Sequence, residues 1–108
     1  MVKIPLEPYP GEVHLTRDFK EFTKLYKLLM EEEYEGEQPY GATSSNQRPG
    51  YAPIYLVYAK RGYTSTLTHE FSHVLLMLFE HIQLSPNVGN GEPFAYMISH
   101  LMNKAGIK

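Results

Sequence analysis

The sequence predicts an α+β fold in which a small antiparallel sheet packs on three helices. Three observations lead there. Apolar residues recur at helical spacing in two stretches, Phe19, Phe22, Leu25, Tyr26 and Leu29, and Phe94, Met97, Ile98, Leu101 and Met102,. A third stretch, residues 66–83, is apolar on almost every side, which is the pattern of a buried helix,. Two further stretches favour strands: Ile54–Ala59 is β-branched and aromatic, and Glu12–Thr16 alternates polar with apolar residues,. At 108 residues, 43% of them hydrophobic, the chain suits one domain with one core,.

The elements follow in order. Residues 1–11 carry Pro5, Pro8, Pro10 and Gly11, so they form an extended arm that cannot be helical,. After the strand at 12–16, on which His14 is expected at the surface, Asp18 to Glu21 reads as a capping box for an amphipathic helix,. That helix is expected to end in Glu31, Glu32 and Glu33, a solvated acidic run whose charge opposes the helix dipole,. Residues 36–53 are rich in Gly, Pro, Ser, Asn and Gln and read as loop, with one short strand at 40–44,. Lys60, Arg61 and Gly62 turn the chain out of the 54–59 strand. Thr66 is the expected N-cap of the buried helix, ahead of Leu67,. Leu67, Phe71, Val74, Leu75, Leu76, Met77, Leu78, Phe79 and Ile82 supply its apolar sides. Residues 85–91 form a loop, and Glu92 and Pro93 open a last helix, with proline at its favoured first-turn position,. Glu92, Tyr96, Ser99, His100 and Asn103 make a polar stripe along it, and Gly106 closes it.

Bulk properties narrow the function. Ten Lys and Arg against twelve Asp and Glu give a net charge of −2, and no basic stripe marks a nucleic-acid partner,. The absence of cysteine excludes disulfides, thiolate metal sites and cysteine nucleophiles together, so a metal must be held by His, Asp or Glu,. The first ten residues lack the basic and apolar segments of a secretion signal,. The longest apolar run, 74–79, is too short to span a membrane,. A soluble cytoplasmic protein is expected, with no membrane partner.

Chemistry concentrates in His69, Glu70, Phe71, Ser72 and His73, an H-E-x-x-H motif. Residues four apart share one face of a helix, so both imidazoles can reach one zinc ion, with the glutamate beside the first placed as general base. A catalytic zinc takes three protein ligands and keeps one open position. The extension H-E-x-x-H-x-x-G-x-x-H fails, since Leu76 and Phe79 stand where glycine and the third histidine belong. Glu92 fits better as third ligand: it opens the last helix and heads its polar stripe.

H-E-x-x-H followed by eighteen residues and a glutamate resembles the gluzincin metallopeptidases, such as thermolysin-like and aminopeptidase-N-like enzymes. The resemblance covers about residues 54–103. The text THEFSHV and GEPFAYMISHL also looks like small zincin-like proteins encoded by phages and prophages. The resemblance implies a minimal zincin-like domain with zinc bound by His69, His73 and Glu92, Glu70 as base, and a peptide or protein substrate. Thermolysin-like enzymes carry an aspartate four residues after the third ligand; in this chain Tyr96 stands there, so Tyr96 or Ser99 would support the first histidine instead. Tyr96, His81 and His100 are the candidate donors to a tetrahedral oxyanion. Tyr51, Tyr55, Tyr58 and Tyr63 serve mainly packing, with a peptide groove as the alternative. The strand at 54–59 is expected to hold an extended peptide by strand addition.

Two functions therefore compete. The first is a small zinc metallopeptidase. The second is a catalytically silent zincin-like binding module with a structural zinc, serving phage assembly or contact with a host protein. Retention of Glu70 favours chemistry, because a structural site needs only its ligands; small size and the lack of a second lobe favour binding.

Overall fold

Alternation along the strands decides how the layers assemble. The computed structural model describes residues 1–82 and 91–106, the side chain of Glu92 excepted. Four strands, β1 (Val2–Pro5), β2 (Glu12–Thr16), β3 (Gly41–Asn46) and β4 (Ile54–Ala59), form one sheet in the order β1-β2-β4-β3. Three helices, α1 (Phe19–Met30), α2 (Thr64–His81) and α3 (Gly91–Lys104), cover it. Successive side chains of a strand point to opposite faces. Val13, Leu15, Tyr55, Val57 and Ala59 accordingly pack with the apolar side of α2 and with Met97 and Leu101 of α3. Leu56 and Tyr58 point the other way, onto Phe22 of α1.

The α+β class with a small sheet and three helices holds. The sheet is mixed, however, rather than antiparallel throughout: β1 with β2 and β3 with β4 are antiparallel, but β2 and β4 run parallel. The cause is the order of entry: after α1 the chain enters the sheet at its outer strand β3, antiparallel to β2, and turns back as β4 into the place beside β2, so β4 runs parallel to it. The proline-rich arm also contributes more than expected, since residues 2–5 pair with β2 as an edge strand, where proline costs no ladder bond,.

Local signals fix the helices. Asp18 caps α1, its Oδ1 accepting from the amides of Lys20 at 2.9 Å and Glu21 at 3.5 Å. The helix ends at Met30, before the acidic run, because Glu31 takes a left-handed conformation with φ 59°. Its last turn instead carries Lys27, 2.7 Å from Glu33, so the dipole is complemented rather than opposed,. For α2 the N-cap is Tyr63, three residues before the expected Thr66, and it makes no side-chain cap bond. The Tyr63 ring packs instead on Tyr40, centroids 5.1 Å apart. β3 is longer than expected and shifted to 41–46, and His14 is buried at 7% exposure, 2.7 Å from Glu12 Oε1. Among the described residues no helix is long and apolar enough to cross a membrane.

Tyr55 and Tyr58 are core residues, which supports the packing reading for both. The Tyr55 hydroxyl is fully buried and has no hydrogen-bond partner among the described residues. Burial pushes its phenol up to about 12. A raised acid pKa means that the folded state prefers the neutral form. That contribution is complete below the unfolded value of about 10 and is lost as pH rises from there towards 12. The expected result of Tyr55→Phe in denaturant titrations is stability within about 1 kcal/mol of wild type at pH 7. Between pH 10 and 12 the variant should gain on wild type by on the order of 2 kcal/mol. A constant difference between the two proteins across that range would contradict this assignment.

Candidate metal centre

Helix α2 lies along the edge strand β3, and the residue types on their facing sides open a cleft between them. The strand turns Gly41, Thr43 and Ser45 towards the helix, while Ala42 and Asn46 face α1: Ala42 packs against the Phe22 cluster, and the Asn46 amide donates to the Leu29 carbonyl at 2.6 Å. All three helix-facing residues are small. The resulting cleft holds about 490 Å³ and is lined by Gly41 and Thr43 on one wall and by His69, Glu70, His73, Leu76, Met77 and Glu80 on the other.

Helix α2 is not buried nearly all round, contrary to the expectation from its apolar composition. Leu67, Phe71, Val74, Leu75, Leu78 and Phe79 are buried, but Leu76 is 49% exposed and Met77 and Ile82 are only partly covered. One side of the helix is therefore open, and it is the side that carries the motif. His69 and His73 point into the cleft with their Nε2 atoms 3.0 Å apart. Their rings stand nearly perpendicular, with centroids 4.6 Å apart. Two nitrogens held about 2.0–2.1 Å from one tetrahedral zinc would lie roughly 3.3 Å from each other, so the pair fits a shared ion.

Glu70 sits at the foot of the cleft, 6% exposed. A buried carboxylate needs a hydrogen-bond partner. Thr43 supplies it, its hydroxyl donating to Glu70 Oε1 at 2.6 Å and lying 3.3 Å from the Glu70 carbonyl. Gly41 makes room for the same side chain: a Cβ there would come within 2.9 Å of Glu70 Cγ and Oε2 and 2.7 Å of Thr66 Cγ2. Thr43 and Gly41 escaped sequence reasoning. Both lie in a stretch read mostly as loop, and nothing local to them points at a helix twenty-seven residues on.

The other expected site residues fall elsewhere. Helices α2 and α3 are antiparallel: Thr68 reaches Met102 Sδ at 3.6 Å, and Phe79 packs on Phe94 at 5.8 Å. The start of α3 thus lies beside the last turns of α2, some 9 Å along the axis from His73 by helical rise. Glu92 stands in that first turn of α3, and its side chain lies outside the described residues; of the loop expected at 85–91, residues 85–90 also lie outside them, while Gly91 already belongs to α3. Among the described residues no third His, Asp or Glu joins the histidine pair closely enough to make a three-donor group. Tyr96 is 72% exposed and does not line the cleft. His100 Nε2 lies 3.4 Å from the Pro5 carbonyl, on β1 at the opposite edge of the sheet from β3. His81 lines an adjoining hollow with Ser45, Gln47, Met77 and Glu80. Strand β4 is flanked by β2 and β3, so it cannot accept a further strand; the edge beside the cleft is β3.

Compared with protein-family models, curated proteins and solved structures, the chain matches none.

The approach of β3 to α2 at Gly41 is the tightest contact at the site, and it yields a test. Gly41→Ala should lower unfolding stability by about 1–3 kcal/mol in denaturant titrations, because its methyl group must displace Thr66 or Glu70. A change below about 0.5 kcal/mol would mean that strand and helix are not in contact as described.

Proposed function

We propose that this chain is a small zinc-dependent metallopeptidase, with His69, His73 and Glu92 holding the ion and Glu70 acting as general base. The observation that carries the reading is the convergence of two imidazole nitrogens at 3.0 Å beside a buried, hydroxyl-anchored carboxylate, in a cleft bounded by an edge strand. Zinc, when bound, supplies Lewis acidity towards water and a carbonyl group. The chain's own residues do the rest. Glu70 takes the proton of the attacking water and returns it to the leaving amine. The Thr43 hydroxyl holds the carboxylate in one orientation, so little rearrangement precedes the transfer. The free backbone groups of β3 bind an extended peptide by strand addition. Leu76 and Met77 present apolar surface on the helix side of the cleft.

A second reading is a binding module with a structural zinc, related in role to phage assembly or host contact. One observation favours it: Tyr96, His81 and His100, the candidate oxyanion donors, do not line the cleft. The one hydroxyl that lines the cleft among the described residues, that of Thr43, is engaged with Glu70.

Zinc content and hydrolysis separate the readings. Elemental analysis of the purified chain should give about one zinc per chain, lost in His73→Ala and in Glu92→Ala. On unfolded casein or a quenched peptide library the zinc-loaded chain should cut, and Glu70→Gln should lower the rate by at least 10²-fold with zinc retained. Zinc without hydrolysis under any condition would select the binding module. No zinc even after reconstitution would end both.

A further inference from the structure

A lysine stands just beyond one end of the β3–α2 groove and a glutamate lines the other. Helix α2 begins beside Gly41, where Thr66 packs, and its later turns pass Ser45 and Gln47, so helix and strand run alongside each other in the same direction. At the Gly41 end stands Lys60. Its amide bonds to the Tyr40 carbonyl at 2.8 Å, and its ammonium lies 5.2 Å from the Tyr40 ring centroid and 5.8 Å from that of Tyr63. Both rings are largely exposed, so the ammonium is held in place yet remains open to an anion,. At the far end stands Glu80, exposed and common to the metal cleft and to the adjoining hollow of about 540 Å³ with Ser45, Gln47 and His81. Neither Lys60 nor Glu80 has an ion-pair partner among the described residues. Between the two ends the groove is polar and small on the strand side, apolar at Leu76 and Met77 on the helix side.

From this arrangement we infer that the groove selects an extended peptide segment by charge order: basic residues towards its N-terminus and acidic residues towards its C-terminus, with small or apolar residues between. The direction follows from pairing. Antiparallel strand pairs outnumber parallel ones, and a segment antiparallel to β3 sets its N-terminal end beside Asn46 and Glu80 and its C-terminal end beside Tyr40 and Lys60. Six residues of β3 span roughly 20 Å, so the segment that reaches both charges has about eight residues,. The inference rests on the reading of this groove as a peptide cleft and specifies its ligand class; it does not require that the peptide be cut.

Fluorescence anisotropy on the full chain carrying Glu70→Gln tests it without interference from cleavage. The probes are labelled octapeptides with blocked termini: Lys-Lys at the start and Glu-Glu at the end around Ala, Leu, Ser and Thr, the same peptide with the charged pairs exchanged, and an uncharged version. At low salt the basic-first peptide should bind about tenfold more tightly than the exchanged one, a ratio that shrinks at high salt as exposed charges are screened. Glu80→Lys and Lys60→Glu together should invert the preference, and each alone should roughly abolish it. Both side chains are exposed, so circular dichroism should show the fold retained. Equal affinities, a wild-type preference for the exchanged peptide, indifference to the two charge reversals, or no binding of any probe would each overturn the inference. Since binding is read apart from hydrolysis, a failed peptidase assay with ordered binding would reject the catalytic reading while leaving this one standing.

Discussion

A carboxylate buried between a helix and the edge of a sheet must be partnered, and the pairing of Glu70 with the Thr43 hydroxyl meets that requirement,. Much of the neighbourhood follows from it. The strand has to approach α2 closely enough for a 2.6 Å hydrogen bond, which only a glycine at 41 permits. Since β3 side chains alternate, the same register that aims Thr43 at Glu70 also aims Gly41 and Ser45 at the helix and leaves the strand wall of the cleft small and polar,. With Glu70 anchored on the flank of α2 that meets β3, His69 and His73 fall on the adjoining open side, one turn apart,.

The layers hold that arrangement rigid. On one face of the sheet, Tyr55, Val57 and Ala59 take the apolar side of α2. On the other, Leu56 and Tyr58 stack into the aromatic group of Phe19, Phe22, Tyr26 and Tyr34. Strand β4 is thus fixed from both faces and carries β3 as its partner, register for register. The edge strand that anchors Glu70 is in this way tied to the core through a single antiparallel ladder. A domain of this size gains rigidity at its cleft by building one wall from the outer strand of a well-packed sheet and the other from a helix buried on its inner side.

Periodicity made much of this legible in the sequence. The 3.6-residue recurrence of Phe22, Leu25, Tyr26 and Leu29, the continuous apolar stretch at 54–59 and the polar stripe after Pro93 place two helices and the inner strand β4 correctly, because burial dictates those patterns,. The H-E-x-x-H spacing places the two imidazoles together for the same geometric reason. What escaped was non-local. The parallel β2–β4 pairing depends on where α1 returns the chain, and β3, composed of Gly, Ala, Thr, Ser and Asn, has little strand propensity of its own,. Thr43 and Gly41 acquire meaning only once β3 lies beside α2. The exposed Leu76 belongs to a helix whose overall apolar character hides its open side, and His14 is buried beside Glu12 in the sheet.

His69 and His73 are proposed to share one zinc ion. Nitrogen-15 NMR of the histidine side chains during a zinc titration tests it directly. If the ion is shared, the Nε2 resonances of His69 and His73 shift together and saturate at one equivalent, while those of His14, His81 and His100 stay in place. Independent shifts for the two motif histidines, or larger shifts at His81 or His100, would contradict it.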